Sequence, residues 1–235
     1  MSGVQFDQLS AVVIDDQDAV RGMVRGLLRK LGLTTIELGK DVADGLGVIA
    51  KTRPDFVLLD INMPGRNGLE LVRDVRAGLA QPIRRDLPIA LLTGHTDQAI
   101  VGTALALDAN AFIAKPVSAK VLGERIERMF TRPVPIREAS VYASLELPDF
   151  GLPLPPGALV NAGVVLKPSL PERGPAEVLK DLIAIEAGTV LSRPLRGSSG
   201  HLLLAAGQSL SASMIDRLSD LAELDETLRS IWVLV

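Results

Sequence analysis

The sequence predicts an α/β fold, with a doubly wound parallel sheet in the first half of the chain and a small β-rich α+β module in the second. Short apolar runs alternate with longer amphipathic segments. The short runs lack the alternation of apolar and polar residues that is typical of strands with one solvent-exposed face. The composition then changes, because residues 132–175 hold nine of the fifteen prolines in the chain. We therefore expect a change of architecture at that point.

The alternation between residues 11 and 130 is that of five strands and five helices. The predicted strands are residues 11–15, 33–38, 56–60, 88–93 and 111–115. The predicted helices are residues 19–31, 41–51, 68–79, 96–107 and 118–130. Because parallel strands need crossover connections, this order predicts one five-stranded parallel sheet with helices on both faces.

The proline-rich stretch divides the chain into a first domain at residues 1–131, a partly ordered linker at residues 132–175 and an output or interaction module at residues 176–235. Two linker segments remain candidates for strands, residues 141–147 and 158–166. The predicted elements of the module are strands at residues 181–195, 200–206 and 230–235, and a helix at residues 211–224 capped by Ser209 or Ser211.

The whole-chain composition excludes several functional classes. The 25 basic and 28 acidic residues leave a net charge of −3, which gives no long-range attraction to nucleic acid or to an anionic membrane. The absence of cysteine excludes disulfides, and only His95 and His201 are available for zinc. No basic segment followed by an apolar run opens the sequence and no run of about 18 apolar residues follows, so we expect a cytoplasmic protein without membrane contact.

Polar side chains end four of the five predicted strands. They are Asp15 and Asp16 after the first strand, Asp60 after the third, Thr93 after the fourth and Lys115 after the fifth. Each of them alone is most simply an ordinary loop residue. Because ligands bind at the carboxyl ends of the strands in an open parallel sheet, the five together predict one functional site.

Three carboxylates at one edge repel each other, and a hard divalent cation such as Mg²⁺ relieves the repulsion. Asp60 would then lie beside a metal that can bridge to an incoming phosphoryl oxygen. The hydroxyl of Thr93 and the ammonium of Lys115 can neutralise the other phosphoryl oxygens. The site therefore predicts Mg²⁺-dependent phosphoryl transfer to Asp60.

The segments VVIDDQ, LLDINMPGRNGLEL, LLTGH and AFIAKP carry these residues. They resemble the receiver domain of bacterial two-component response regulators, in register over residues 9–130. The resemblance implies a flavodoxin-like sheet of order 2-1-3-4-5 and a role for Asp60 as phosphoacceptor. It also implies that Mg²⁺ is held by Asp15 or Asp16, by Asp60 and by the backbone carbonyl of Asn62.

Further expectations follow from the resemblance. It implies a cis peptide bond between Lys115 and Pro116. It also implies a switch in which the Phe112 side chain changes rotamer with Thr93 on phosphorylation, although an aromatic residue on a strand is more often an ordinary core residue. Asn62 would tune how fast water removes the phosphoryl group. The implied partner is a sensor histidine kinase or phosphotransfer protein. The implied chemistry is Mg²⁺-dependent self-phosphorylation and self-dephosphorylation, with no enzymatic activity on other substrates.

Two residues depart from the family pattern. Asp108 stands where a glycine commonly ends the fourth helix, which is tolerable because Asp enters left-handed conformations more readily than most residues. Val117 replaces a frequent aromatic after the Lys-Pro pair. Neither change involves the acidic site.

The charge of the second half argues against nucleic-acid binding. Residues 135–235 contain eight Lys or Arg and twelve Asp or Glu, whereas a DNA-binding effector needs a basic surface. The glycine and leucine spacing from Leu182 to Leu218 is similar to a small β-rich module found beside HD-type phosphodiesterase domains, although a generic hairpin plus helix explains it equally well. Catalysis of the HD type needs an adjacent His-Asp pair, which neither His95 nor His201 provides.

Two hypotheses for the second half remain. In the first, the chain is a signalling switch whose module binds an unknown output protein or a second copy of itself in a homodimer. In the second, the chain is a regulatory subunit or degenerate relative of an HD-type cyclic-dinucleotide phosphodiesterase regulator.

Overall fold

A computed structural model of the chain describes residues 4–94, 98–147, 176–197, 202–223 and 225–234, with the side chains of residues 98–101 left out. The chain forms two compact units, residues 1–95 with 107–147 and residues 96–106 with 148–235. Among the helices that the described residues form, none combines the length and the apolar content needed to cross a lipid bilayer.

A five-stranded sheet forms the centre of the first unit. Its strands are β1 (Ser10–Ile14), β2 (Thr35–Gly39), β3 (Phe56–Asp60), β4 (Ile89–Thr93) and β5 (Ala111–Ala114). All neighbouring strands are parallel and their order is β2-β1-β3-β4-β5, which confirms the predicted fold. The carboxyl ends of the strands therefore lie at one edge of the sheet.

Helices connect the strands as the periodicity predicts. They are α1 (Asp18–Lys30), α2 (Val42–Thr52), α3 (Gly68–Arg76), α4 (Gln98–Ala106) and α5 (Ala119–Thr131). Asp41 and Ser118 cap the backbones that begin α2 and α5, and Asn67 forms a capping box with Glu70 at the start of α3. Helix α4 lies between β4 and β5 in the sequence, but its residues belong to the second compact unit.

The core on one face of the sheet fixes the strand positions. It includes Ala11, Val13, Val24, Leu28, Phe56, Leu58, Ala90, Leu92, Ile113, Leu122 and Ile126. Strands β3 and β4 are buried along their whole length, as expected for strands covered on both faces. A close-packed sheet of this kind holds the side chains at its carboxyl edge on a rigid frame.

The segment after α5 differs from its prediction. Residues 141–147 do not form a strand, because Ala139–Ala143 is a short helix, α6. Tyr142 of this helix is fully buried, and its hydroxyl donates to the Asp108 carboxylate at 2.8 Å. The same hydroxyl accepts from the backbone N–H of Arg137 at 2.8 Å. A buried phenol with two partners therefore determines the local conformation, and residues 132–147 lie within the first compact unit.

Asp108 is the centre of this network. Its backbone is left-handed with φ 52°, and its carboxylate also accepts from Nε of Arg137 at 2.8 Å. Its carbonyl accepts from the fully buried Arg76, which donates as well to Oδ1 of Asn110 at 2.9 Å. These bonds tie the end of α3 and the start of β5 to the segment that contains Tyr142.

The second unit contains small antiparallel sheets. Its remaining elements are β6 (Glu177–Asp181), β7 (Leu195–Arg196), β8 (Leu202–Leu204), α7 (Ala212–Ala222) and β9 (Ser230–Leu234). Strand β6 pairs with β9 and β7 pairs with β8. The side chain of Ser211, one of the two predicted caps, accepts from the backbone of Met214 at the start of α7.

The strand predicted at residues 181–195 is wrong. Strand β6 ends at Asp181, and a single 3-10 turn, Leu182–Ala184, follows because Leu182 turns into the core of the unit. Gly188 then adopts a positive φ of 95°, which interrupts an extended chain. The possible strand at residues 158–166 lies outside the described residues.

We predict that Tyr142, the only tyrosine in the chain, titrates above its ordinary pKa of 10.0 in the folded protein. Burial raises the pKa of Tyr142, the backbone N–H of Arg137 opposes the rise, and the hydrogen bond and charge of Asp108 add to it. A raised pKa stabilises the fold below the unfolded pKa, and this contribution is lost as pH rises through the folded value. Absorbance titration of tyrosinate should therefore give a higher midpoint in buffer than in denaturant.

The variant Tyr142→Phe keeps the ring and removes the hydroxyl. It should unfold at lower denaturant concentration, with a loss of about 1–3 kcal/mol, because the buried Asp108 carboxylate loses a donor. Val141→Ala, at an exposed position of the same helix, is the control. Equal tyrosinate titration midpoints in buffer and in denaturant would contradict the raised pKa of Tyr142.

Candidate functional site

The ends of two adjacent strands bring three carboxylates together. Asp15 follows β1 and Asp60 ends β3, and these strands are paired with Ile14 opposite Leu59. One ligand oxygen each of Asp15, Asp16 and Asp60 lies within 4.8 Å of the other two. Asp15 and Asp60 are buried, whereas Asp16 is exposed. The acidic cluster therefore has a closed side within the protein and an open side toward solvent.

Lys115 bridges the two buried carboxylates. Its Nζ lies 2.7 Å from Oδ2 of Asp15 and 2.8 Å from Oδ1 of Asp60. Its backbone N–H donates to the carbonyl of Thr93 at 2.8 Å, which fixes the base of the side chain at the end of β4. The peptide bond between Lys115 and Pro116 is cis. One ammonium against three carboxylates leaves a local charge of about minus two when all groups are ionised.

Burial and pairing shift the ionisation of this pair. Burial raises the pKa of Asp60, Lys115 opposes the rise through a hydrogen bond and its charge, and the charges of Asp15 and Asp16 add to it. For Lys115, burial alone lowers the pKa, but hydrogen bonds to Asp15 and Asp60 and their charges outweigh burial and raise it. Lys115 is therefore a cation at neutral pH, held beside the carboxylate that has the raised pKa.

The acidic cluster fits a hard divalent cation. All of its ligand atoms are carboxylate oxygens, which Mg²⁺ and Ca²⁺ prefer over nitrogen or sulfur. The exposure of Asp16 leaves room for the water ligands that Mg²⁺ keeps. A divalent charge also matches the residual charge that Lys115 leaves uncompensated. Asp15, Asp16 and Asp60 are thus the residues that could hold a metal ion.

Arg21 supports the cluster, and the sequence patterns described above do not point to it. Its Nη1 donates to the carbonyl of Asp15 at 2.5 Å, and its guanidinium also pairs with Asp18. The Asp15 carboxylate in turn accepts from the backbone N–H of Gln17 at 2.9 Å. Arg21 lies in the first turn of α1, and side chains on a helix lean toward its N-terminus, which brings the guanidinium back to Asp15.

The start of α3 packs directly on the backbone of Asp60. The N–H of Gly68 donates to the carbonyl of Ile61 at 2.9 Å. A Cβ atom at position 68 would lie 2.3 Å from the carbonyl oxygen of Asp60. This distance is a steric clash, so a residue with a side chain does not fit there. Only glycine therefore permits this approach, and the capping box of Asn67 and Glu70 holds the helix in place.

The predicted switch residues share one face of the sheet. Thr93 at the end of β4 is paired with Ala114, and Phe112 precedes Ala114 by two residues on β5. Because side chains alternate along a strand, Thr93 and Phe112 lie on the same face. Both are buried, as a coupled pair requires. Their switch role remains a prediction.

Other candidate residues are placed less directly. Asn62 is exposed between the buried Ile61 and Met63, and the roles assigned to its side chain and its carbonyl remain predictions. His95 and His201 lie outside the described residues. Asp108 and Val117, the two departures from the family pattern, are both buried.

Comparison with known proteins identifies the first unit. Residues 11–127 match the family described as the response regulator receiver domain. The chain is 32% identical over 124 residues to the chemotaxis protein CheY of Pseudomonas aeruginosa, covering 53% of this chain and 98% of that protein. It is 29% identical over 132 residues to CheY-3 of Vibrio cholerae, and the match covers 56% of this chain and 99% of that protein. The solved structure of Vibrio cholerae CheY4 is similar, with 28% sequence identity and a TM-score of 0.45. The match covers 51% of this chain and 97% of that chain.

The chain therefore belongs to the response regulator family, and residues 11–127 are a CheY-like receiver domain of the two-component type. Its acidic cluster lies at the carboxyl edge of the receiver sheet. The matches cover about half of this chain, so they leave the role of the second unit to its own structure.

We predict that Asp16→Asn lowers the affinity for Mg²⁺ roughly tenfold or more, since even residues behind metal ligands often change metal affinity about 10–100-fold. This variant removes one carboxylate and leaves both ion pairs of Lys115 intact. Calorimetric titration of Mg²⁺ measures the effect. Asp86→Asn, at an exposed position outside the cluster, is the matched control. Equal affinities in the wild type and Asp16→Asn would contradict the metal site.

Proposed function

We propose that the chain is the response regulator of a two-component phosphorelay, in which Asp60 accepts a phosphoryl group in a Mg²⁺-dependent reaction. The observation that carries this proposal is the ammonium of Lys115 between Asp15 and Asp60, beside a third carboxylate. The phosphoryl donor is a sensor histidine kinase or phosphotransfer protein. The chain modifies only itself, through Mg²⁺-dependent phosphorylation and dephosphorylation.

In the proposed transfer, an oxygen of the ionised Asp60 attacks the phosphorus of a phosphohistidine. The new oxygen–phosphorus bond forms as the nitrogen–phosphorus bond breaks, and the imidazole leaves with the electron pair and takes up a proton from solvent. Lys115 can move its Nζ from Asp60 to a phosphoryl oxygen, and the hydroxyl of Thr93 can donate to another. Bound Mg²⁺ supplies charge neutralisation for the remaining oxygens.

The environment of Asp60 suits this role. Asp60 is 3% exposed, so a nucleophilic oxygen is shielded from bulk water, yet the adjacent exposed Asp16 opens the cluster to a donor. Burial raises the pKa of Asp60, and a divalent cation in the cluster favours the ionised, nucleophilic form. Lys115 therefore holds the attacking carboxylate in place, and a metal ion held by Asp15, Asp16 and Asp60 would keep it ionised.

We predict that Asp60→Asn abolishes phosphorylation by a small phosphodonor such as acetyl phosphate, because an amide cannot form the acyl phosphate. The product in the wild type should be base-labile, as an acyl phosphate is, and its formation should require Mg²⁺. Intact mass spectrometry measures the incorporation. Asp86→Asn should be phosphorylated as the wild type is. Undiminished, base-labile phosphate in Asp60→Asn would disprove the assignment.

We further propose that the second unit is a protein-interaction module that does not bind nucleic acid. Residues 135–235 carry an excess of acidic over basic residues, which is the wrong sign for phosphate contacts. Two of its arginines are already engaged, Arg193 with Glu177 and Trp232, and Arg229 with Glu226. Large apolar side chains are exposed instead, with Ile183 98% exposed and Leu179 half exposed. Such a surface suits contact with another protein.

We predict that the phosphorylated protein shows no saturable, sequence-selective binding to duplex DNA. Anisotropy titrations against genomic fragments at about 50 mM and about 200 mM salt measure this, since contact with several phosphates loses roughly a thousandfold in affinity over that range. A known DNA-binding response regulator serves as the positive control. Saturable binding to selected fragments with a steep salt dependence would make this protein a transcription factor.

The alternative proposal is that the module belongs to an HD-type phosphodiesterase regulator and acts on a catalytic domain in another chain. The same exposed apolar residues would serve that contact or a homodimer. Ultracentrifugation with and without beryllofluoride, a phosphoryl mimic, separates the homodimer from contact with another protein. Direct titration of a purified HD-type domain tests the alternative itself.

A further inference from the structure

Strand β6 lies at the edge of its sheet in the second unit. Its neighbour β9 is paired on both sides, with β6 along one side and with residues 190–192 along the other. Within the described part of the chain, β9 is the only strand that pairs with β6. All five residues of β6 are exposed. The outer side of β6 is therefore an open sheet edge, which can serve as a template for another strand.

The pairing with β9 identifies the backbone groups that face this open edge. The N–H of Leu182, directly after β6, donates to the carbonyl of Arg229 at 2.7 Å and continues the register of the two strands. Because the N–H and C=O groups of an antiparallel strand point alternately to its two sides, the even-numbered residues of β6 face β9. The N–H and C=O groups of Glu177, Leu179 and Asp181 therefore face the open edge.

The side chains of the same three residues form a row on one face of the sheet, because side chains alternate along a strand. Leu179, at the centre of the row, is half exposed. Its cross-strand neighbour Trp232 has its ring 4.0 Å from the guanidinium of Arg193. The Asp181 carboxylate accepts from the hydroxyl of Ser230, and no cation pairs with it among the described residues. The row therefore offers an apolar centre and an uncompensated negative charge.

The opposite face of β6 adds two further requirements for a strand at this edge. Val178 is exposed although its cross-strand neighbour Val233 is buried. Lys180 lies on the same face, opposite the buried Ile231. Since directly opposite side chains on neighbouring strands interact, an added strand fits best with an apolar residue opposite Val178 and an acidic residue opposite Lys180.

A second copy of β6 fits this edge poorly. An antiparallel pairing that uses all three open residues of both copies places Leu179 beside itself and Glu177 opposite Asp181, twice. Like charges directly opposite each other destabilise a pair of strands. Arg193 does not relieve the repulsion, since it already donates to both carboxylate oxygens of Glu177 and contacts the Trp232 ring. The charges of β6 therefore favour a strand of different sequence.

We propose that β6 binds an extended segment of another protein, which adds an antiparallel strand to the open edge. From its N-terminus this segment is basic, acidic, apolar, apolar and basic, so that a basic residue lies opposite Asp181 and an apolar one opposite Leu179. Main-chain hydrogen bonds supply affinity, and the alternating side chains supply specificity. The segment is the partner of the proposed protein-interaction module, and its assignment rests on that proposed function.

Amide hydrogen exchange of the free wild-type chain, measured by NMR, tests whether the edge is open. The amides of Val178 and Lys180 face β9 and should exchange more slowly than those of Leu179 and Asp181, roughly tenfold or more. The slow pair is the internal control for a folded sheet. Equally slow exchange of Leu179 and Asp181 would show that the edge is already paired, and would overturn the proposal.

A short peptide with Lys-Glu-Leu-Val-Lys at its centre is the binding probe, and NMR titration of the whole chain measures its affinity. It should shift the amide resonances of Glu177, Leu179 and Asp181. A control peptide has Glu in place of the first Lys and therefore places a like charge opposite Asp181. The wild type should bind the probe about threefold to tenfold more tightly than the control peptide, because one cross-strand charge pair changes sign.

Two variants test the edge from the protein side. Leu179→Pro should weaken binding of the probe about fivefold or more, because proline removes an N–H that faces the open edge and none that faces β9. Asp181→Lys should reverse the preference and bind the control peptide more tightly, and it decides if the proline variant unfolds. Leu202→Ala changes an exposed leucine of another sheet and should bind the probe as the wild type does.

Several outcomes would overturn the proposal. They are failure of the wild type to bind the probe, equal binding of both peptides by the wild type and Asp181→Lys, and self-association of the wild type that Leu179→Pro abolishes, which would make a second copy the occupant. Probe binding that shifts only amides outside β6 would also overturn it and leave the protein-interaction function intact. Saturable binding of the second unit to duplex DNA would instead remove the proposed function itself.

Discussion

The ammonium of Lys115 between Asp15 and Asp60 is the interaction on which the receiver site depends. A parallel sheet directs the ends of its strands to one edge, and here that arrangement buries two carboxylates side by side. Two buried negative charges without a cation would cost several kcal/mol, so Lys115 makes the cluster tolerable. It leaves the third carboxylate uncompensated, and this residual charge is what makes the site receptive to a divalent cation.

A second buried network solves the same physical problem at the amino ends of β4 and β5. Arg76 is fully buried and donates to backbone carbonyls and to Asn110, while the Asp108 carboxylate is matched by Arg137 and Tyr142. Because Asp108 lies 29 residues before Arg137 and 34 residues before Tyr142, these bonds tie the segment after α5 to the receiver. Residues 132–147 are thereby part of the receiver unit although their proline content is typical of a linker.

The predictable part of the structure is the part set by short-range pattern. The periodicity of the apolar residues and the turn-forming residues between them located all five receiver strands and their helices. The rule that ligands bind at the carboxyl ends of parallel strands located Asp15, Asp60, Thr93 and Lys115. The strand predicted around Tyr142 failed because the deciding contact is with Asp108, 34 residues earlier. The long strand predicted from residue 181 failed because Leu182 turns inward and Gly188 breaks the extension. Arg21 was missed because its partner is a backbone carbonyl.

The surroundings of helix α4 are likewise set by contacts that are distant in the sequence. Its uncharged sequence was compatible with an ordinary receiver helix, and no local pattern specifies which element covers its outer side. The cover comes from residues more than ninety positions later, through β8 and the guanidinium of Arg217. An uncharged helix exposed to water would be a liability for solubility and stability, so the packing of α4 against β8 and the bond from Arg217 have a structural role of their own.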